Sequence, residues 1–184
     1  TEYIRYNRIQ RDFPEEKTDV VGYSSLYIRN NFRQMLQNYA KKNGIECKCI
    51  RCREVKKNKL IFPTIHKQEY SASNGKEIFF SMDSNDRKLL YGFIRLRLQN
   101  ESVFKELKGI ALIRELHVYG FLQTTNMKKS NKSQVQHKGF GKLLLKRAEN
   151  EAYYRGYKKV AIISGVGVRN YYKKLGYKLE FETE

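Results

Sequence analysis

A chain of 184 residues that is 40% hydrophobic, with 14 Tyr and 10 Phe, can bury a real core, which excludes a disordered tail. No apolar run approaches the ~20 residues of a membrane span and no signal-peptide pattern opens the chain, so a soluble protein is expected. Lys and Arg total 37 against 19 Asp and Glu, a formal net charge of +18 that favours phosphate-rich partners.

The basic excess is local. Residues 41–59 hold eight Lys/Arg against Glu46 and Glu54, and residues 128–147 hold seven against no acid. Two such stretches point to nucleic acid, with the phosphates of an anionic cofactor accounting for part of the charge. The chain begins at Thr1 rather than Met, so an excised piece of something longer is expected.

Residues 1–23 read as polar and irregular. A helix follows, capped by Ser24 or Ser25, with Leu26, Ile28, Phe32, Met35, Leu36, Tyr39 and Ala40 at near-helical spacing and Gly44 as its left-handed end. Three Cys are packed as Cys47-x-Cys49-x-x-Cys52. An odd, tight cluster is no disulfide framework and implies a reducing, intracellular setting. A short strand at 60–62 stops at Pro63.

Strands are predicted at 77–82 and 89–98, joined by the turn-forming Asp83-Ser84-Asn85-Asp86, and at 111–119. Residues 121–135 read as a polar loop. A helix is predicted over 141–155, with Leu144, Leu145, Ala148, Ala152 and Tyr153 towards the core and Gly156 as its stop. A buried strand at 159–164, a turn at Gly165-Val166-Gly167, a short helix over 170–175 and a last strand at 177–181 complete the chain. This alternation predicts an α/β layer with a mixed central sheet.

The strongest local motif is Gln136-His137-Lys138-Gly139-Phe140-Gly141, between a strand and a helix. Glycines let backbone N–H groups converge, and a helix start adds unpaired donors and positive dipole, so the turn suits a diphosphate. Lys138 and Lys142 add charge. On their strand, Glu115 and His117 share parity and hence a face, able to activate water or an acceptor, while Arg114 is expected on the opposite face. A structural histidine, and a Glu115 paired with a neighbouring Arg, are the alternatives. The three Cys thiols can hold one zinc ion, with His66 or another group as fourth ligand; free thiols packed beside the helix are the alternative.

A second half of the motif lies at Asn170-Tyr171-Tyr172-Lys173-Lys174-Leu175-Gly176-Tyr177. Together with the Gln-x-x-Gly-x-Gly turn it resembles the GNAT acyl-CoA superfamily. A closer likeness lies in Cys47-Lys48-Cys49-Ile50-Arg51-Cys52-Arg53-Glu54-Val55, in Ile113-Arg114-Glu115-Leu116-His117-Val118-Tyr119-Gly120, and in Ile163-Ser164-Gly165-Val166-Gly167 with Arg169-Asn170-Tyr171-Tyr172. With Arg8-Ile9-Gln10-Arg11-Asp12-Phe13-Pro14, these resemble the Elongator catalytic-subunit family. The radical SAM iron–sulfur motif of that family is absent from this chain.

The resemblance implies three parts: residues 1–23 as the tail of a radical SAM domain, 24–66 as a helical, Cys-containing linker, and 67–184 as the GNAT-type domain. It implies that acetyl-CoA threads between the strands at 111–119 and 159–164. Backbone groups of Leu116 and Val118 would pair with the pantetheine amides, and His137, Lys138, Gly139, Phe140, Gly141 and Lys142 would hold the diphosphate; Glu115, His117, Gln136, Asn170 and Tyr172 are further cofactor-binding candidates. Tyr172 is the first choice for the acid that meets the departing thiolate, with Glu115 and His117 as further catalytic candidates; its alternative is a core aromatic at a helix end. Tyr171 is read as packing inward or towards RNA.

The whole reaction implied is tRNA-dependent cleavage of acetyl-CoA to build a carboxymethyl group on the wobble uridine, with S-adenosylmethionine and a 4Fe-4S cluster confined to the upstream domain. Arg8, Arg11, Arg51, Arg53, Lys56, Lys57 and Lys59 are the candidate RNA contacts. Elongator-type partner subunits or self-association, no membrane, and a cytoplasmic location are expected. The rival readings are a histone-type lysine acetyltransferase and a non-catalytic RNA-binding module.

Overall fold

The computed structural model describes residues 1–7, 32–55, 62–119 and 139–180. The sheet grows from a meander. Strand β1 (Thr64–Ala72), β2 (Gly75–Asp83), β3 (Leu90–Leu98) and β4 (Ala111–Val118) pair antiparallel in sequence order, and β5 (Val160–Ile162) joins β4 in parallel. Ser73 and Asn74, both at positive φ, turn the β1–β2 hairpin, conformations that Asn tolerates better than most residues.

Among the described residues, four α-helices accompany the sheet: α1 (Phe32–Lys42), α2 (Ile50–Arg53), α3 (Phe140–Tyr154) and α4 (Arg169–Lys173). Leu144, Leu145, Ala148 and Ala152 form the buried stripe of α3 and pack on Ile78, Phe80, Met82, Ile94, Leu96 and Ile113. Gly92 permits this approach: a Cβ there would lie 2.9 Å from the His117 carbonyl oxygen and 3.3 Å from Leu144 Cδ1. The opposite face carries a second cluster of Ile50, Phe79, Leu90 and Phe93, with Tyr3, Tyr70 and Tyr119 against it. Because both faces are covered, Ile78-Phe79-Phe80 reads as a continuous apolar run.

Several expectations are met and several are corrected. The strands at 77–82, 89–98 and 111–119, the helix over 141–155, and the glycine ends at Gly44, Gly156 and Gly176, all at positive φ, are present. Strand β1 was not expected, since its half-exposed Thr64–Ala72 is mostly polar, as suits a sheet edge. It straddles the expected boundary at 66/67. The strand expected at 159–164 contracts to three residues, and residues 177–180 form no strand. Tyr153, expected in the core, is 75% exposed because it lies one residue off the Ala152 stripe. Phe62 belongs to no strand, and residues 60–61, the start of the first helix and the loop at 121–135 lie outside the described residues.

Candidate acyl-CoA site and cysteine cluster

The sheet splits where β5 stops. Ala111, Leu112 and Ile113 pair with Val160, Ala161 and Ile162, and Ile163 N–H donates to the Ile113 carbonyl at 3.0 Å. Beyond Ile113, no strand among the described residues pairs with that edge of β4, while its other edge stays on β3 as far as Val118. Residues 114–118 therefore present backbone N–H and C=O groups to a gap, and such groups want partners.

The start of α3 faces the same gap. Gly139, at φ 133°, precedes Phe140, and no side chain caps this end. First-turn N–H groups and the helix dipole make it a receptive place for an anion. A Cβ on Gly141 would lie 2.8 Å from Tyr171 Oη and 3.7 Å from Val118 Cγ2. The helix start, the end of β4 and the α4 aromatic thus converge at one point. Gln136, His137 and Lys138 lie outside the described residues; Lys142 and Asn170 are exposed.

Tyr172 is half-buried, edge-on to Tyr177 at 6.0 Å and to Tyr171 at 5.2 Å. Burial raises the pKa of its phenol, with the Tyr171 charge adding to the effect, and burial raises Tyr171 as well. Both remain neutral proton carriers at ordinary pH. Tyr171, read from sequence as packing inward or towards RNA, turns its hydroxyl to Gly141 at the cleft.

A bulge reshapes β4 on the face away from α3. Arg95 pairs with Glu115 and Leu96 with Ile113, so Arg114 is an extra residue. Arg114 and Glu115 both emerge away from α3: Arg114 Nη1 reaches Glu77 at 2.6 Å, and Arg95 Nε donates to Glu115 at 2.9 Å. The expectation that Arg114 faces oppositely fails because strict alternation does not survive a bulge. Glu115 and His117 do share that face, His117 stacking on Phe93 with centroids 5.9 Å apart, while Leu116 packs against the α3 core.

The linker cysteines converge. Their thiol sulfurs lie within 4.8 Å of one another, with Cys49 buried and Cys47 and Cys52 exposed. The single helical turn of α2 does this, as the Cys49 carbonyl accepts from the N–H groups of Cys52 and Arg53. Burial opposes charge on Cys49, but hydrogen bonds from the Cys52 backbone, the two neighbouring thiols and the Tyr6 backbone lower its pKa. Burial, with the Cys49 and Cys47 thiols beside it, pushes Cys52 up to about 12. His66 does not join this group; it sits opposite Ser81 in the β1–β2 ladder, and its Nε2 is buried without a partner.

Arg53 corrects another expectation. It is 3% exposed, ion-paired with Asp83 at 2.6 Å, and donates to the carbonyls of Lys48 and Glu2, so its guanidinium is unavailable to an RNA phosphate. Arg51 is exposed and donates to the Asn7 carbonyl at 2.8 Å. Arg8, Arg11, Lys56, Lys57 and Lys59 lie outside the described residues.

No family model matches the chain. It is 41% identical over 187 residues to "tRNA uridine(34) acetyltransferase" of Methanocaldococcus jannaschii, covering 96% of this chain and 33% of that protein. Human "Elongator complex protein 3" is 37% identical over 187 residues, covering 97% and 33%. The solved structure of an N-terminally deleted Methanocaldococcus infernus Elp3 superposes with a TM-score of 0.77 at 35% identity, covering 98% of this chain and 43% of that one. The chain belongs to the Elongator catalytic-subunit family. It shares the fold of that Elp3 structure, here a mixed five-stranded sheet with helices and the Cys cluster in its N-terminal part, and it spans about a third of the length of the curated relatives it matches.

Two features of the site escaped sequence reading. Arg95 sits in the alternating run Phe93-Ile94-Arg95-Leu96, whose parity already sets it apart from the core-facing Ile94 and Leu96. Residues 1–7 were read as irregular, yet Tyr3 stacks on Tyr70 with centroids 4.0 Å apart, and Ile50 N–H donates to the Ile4 carbonyl.

Proposed function

We propose that this chain binds acetyl-CoA in the gap between β4 and β5 and releases its acyl unit in the service of wobble-uridine modification of tRNA. The observation that carries the reading is the split of the sheet after Ile113, facing an uncapped helix start at Gly139. Acetyl-CoA supplies an activated thioester. Backbone groups of residues 114–118 would hold its pantetheine arm, and the first turn of α3, with Gly139, Gly141 and Lys142, its diphosphate. Tyr172, neutral and half-buried, would give its proton to the leaving sulfur, while Glu115 and His117 would act from the acceptor side.

The same reading takes the carboxymethyluridine reaction as the whole activity, with S-adenosylmethionine and a 4Fe-4S cluster supplied by a radical SAM domain. tRNA is the partner, gripped by the basic stretches, and Elongator-type subunits or self-association complete the assembly. Three thiolates at this spacing fit three corners of a tetrahedral zinc site, which would brace the linker. Free, clustered thiols support a reducing, intracellular setting. Among the described residues, no helix is long and apolar enough to cross a membrane.

A histone-type lysine acetyltransferase would want an acidic acceptor groove. Glu115, on that side, is already paired with Arg95, which favours the tRNA reading. The test is calorimetry of acetyl-CoA on the wild type and on Gly139→Asp, followed by free CoA release with and without tRNA. Binding lost in the folded variant and release stimulated by tRNA are the expected results. Unchanged affinity in a folded Gly139→Asp protein would sink the cofactor site.

A further inference from the structure

On the face of the sheet away from α3, one side chain holds together the acceptor side of the cleft and the N-terminal segment. Arg95 Nε donates to Glu115 Oε2 at 2.9 Å, Nη1 to the Tyr70 hydroxyl at 3.2 Å, and Nη2 to the Tyr3 carbonyl at 2.5 Å. Its guanidinium carbon lies 5.1 Å from the Phe79 ring centroid and 5.5 Å from that of Phe93. Every guanidinium nitrogen is engaged, and the group lies against the pair of rings, whose centroids are 5.3 Å apart.

Glu115 is the opposite case. Its side chain is 43% exposed against 16% for Arg95, it sits beside the bulge at Arg114, and one of its oxygens is fixed by Arg95. An exposed carboxylate ordinarily samples several rotamers. Here a rigid donor, itself fixed from three directions, selects one and leaves the remaining lone pairs for a reacting group. Lys could supply the charge but not a planar fork reaching the carboxylate, a phenol and a backbone carbonyl at once.

We propose that Arg95 is the positioning residue of the acceptor side, orienting the Glu115 carboxylate through an anchor formed by Tyr70 and the docked N-terminal segment. This rests on the acetyl-CoA reading above, with Glu115 as an acceptor-side group. It adds that the docking of residues 1–7 is part of the acceptor side's geometry, because the Tyr3 carbonyl is one of the three partners of Arg95. The reacting groups remain those named above; Arg95 acts only through Glu115.

The experiment uses the full chain and measures acetyl-CoA affinity by calorimetry and tRNA-stimulated CoA release for Arg95→Lys, Glu115→Gln and the double variant. Arg95→Lys should bind acetyl-CoA within about twofold of wild type and lose about tenfold or more in kcat. The double variant should be no slower than Glu115→Gln alone, the signature of two groups acting as one. Tyr70→Phe, which keeps the ion pair and removes one anchor, should lose kcat to a smaller degree, and no further loss should follow in the Glu115→Gln background. This variant decides the matter if Arg95→Lys does not fold. Multiplying losses in the double variants, or an unchanged kcat in folded Arg95→Lys or Tyr70→Phe, would overturn the assignment. Normal kcat in Glu115→Gln would overturn it too. Wild-type protein that binds no acetyl-CoA would instead defeat the cofactor reading on which it rests.

Discussion

Tyr171 and Gly141 face each other across the mouth of the cleft so closely that a methyl group on Gly141 would sit 2.8 Å from the phenol oxygen. The atom in the way is the tip of a side chain that is 38% exposed, so it can swing aside at modest cost. Gly141→Ala should therefore fold with a stability loss of about 1 kcal/mol or less, since Ala is also the better helix former. The displaced phenol and the added Cβ should nevertheless weaken acetyl-CoA binding by about tenfold. Calorimetry beside urea denaturation separates the two effects. A variant with wild-type affinity would show that the diphosphate does not approach this turn.

The buried ion pair of Arg53 and Asp83 ties the cysteine turn to the sheet. Ser81 also donates to Asp83, and Arg53 holds the Glu2 carbonyl, so removing one partner strands a charge inside a filled network. Arg53→Met should cost about 3–5 kcal/mol, whereas Arg53→Met with Asp83→Leu should recover much of it. Equilibrium unfolding in urea checks the pair. A loss below about 1 kcal/mol for the single variant would mean that the pair is not buried in solution.

These two sites show how far the sequence could be read. Strand β3 announces itself through period-two alternation, β2 and β4 through short apolar runs and turn residues, and α3 through a 3.6-residue stripe on the face that meets the core. The bulge at Arg114 cannot be seen this way, since an inserted residue leaves no mark in composition and shifts every later side chain by one. Arg53 looks like one more cation in a basic stretch; only the fold brings Asp83, thirty positions away, to it. Strand β1 hides because an edge strand with a half-exposed face needs few apolar residues. The helix start at Gly139 was legible because a positive φ, here 133°, is a conformation that selects glycine.

The linker cysteines lead to a metal prediction. If one zinc ion sits on Cys47, Cys49 and Cys52, purified protein should contain about one equivalent, and a strong chelator should lower its Tm, because binding to the folded state alone adds to stability. Cys49→Ser, which changes the buried ligand, should lose the metal most completely. Elemental analysis that finds no zinc or other transition metal would refute the site.

Acid should unpick a surface network before it reaches the core. Glu151 receives Lys67 at 2.6 Å and Arg155 at 3.1 Å, and Arg155 also reaches Glu69 at 2.6 Å. Burial opposes its charge, but these partners outweigh it and hold its pKa below the usual value. A carboxylate depressed in the folded state contributes stability above its unfolded pKa, and loses that contribution as pH falls through the folded one. The loss therefore falls below about pH 4.5, and Glu151→Gln should lower stability at pH 7 to 8, where the carboxylate contributes, and so flatten the fall in stability at acid pH. Urea midpoints across pH 3 to 8 would test this, and an acid limb of unchanged slope would exclude Glu151 as its source.

The last prediction concerns Tyr172 as proton donor. Burial raises the pKa of its phenol and the Tyr171 charge raises it further, so the neutral form that donates persists beyond the ordinary value of about 10. A general acid contributes below its pKa and fails above it, so Tyr172 should impose no falling limb on the pH–rate profile below about pH 10. Tyr172→Phe keeps the ring that packs edge-on against Tyr177 and removes only the hydroxyl. It should therefore bind acetyl-CoA and tRNA as the wild type does and lose about 10²-fold in tRNA-stimulated CoA release. Tyr171→Phe, beside it, removes the hydroxyl that meets Gly141 and should alter acetyl-CoA affinity more than kcat. Measuring both variants by calorimetry and by CoA release assigns the two tyrosines separately. If Tyr172→Phe keeps its kcat while Tyr171→Phe loses it, the proton donor is the tyrosine that faces the turn, and the roles of the pair are exchanged.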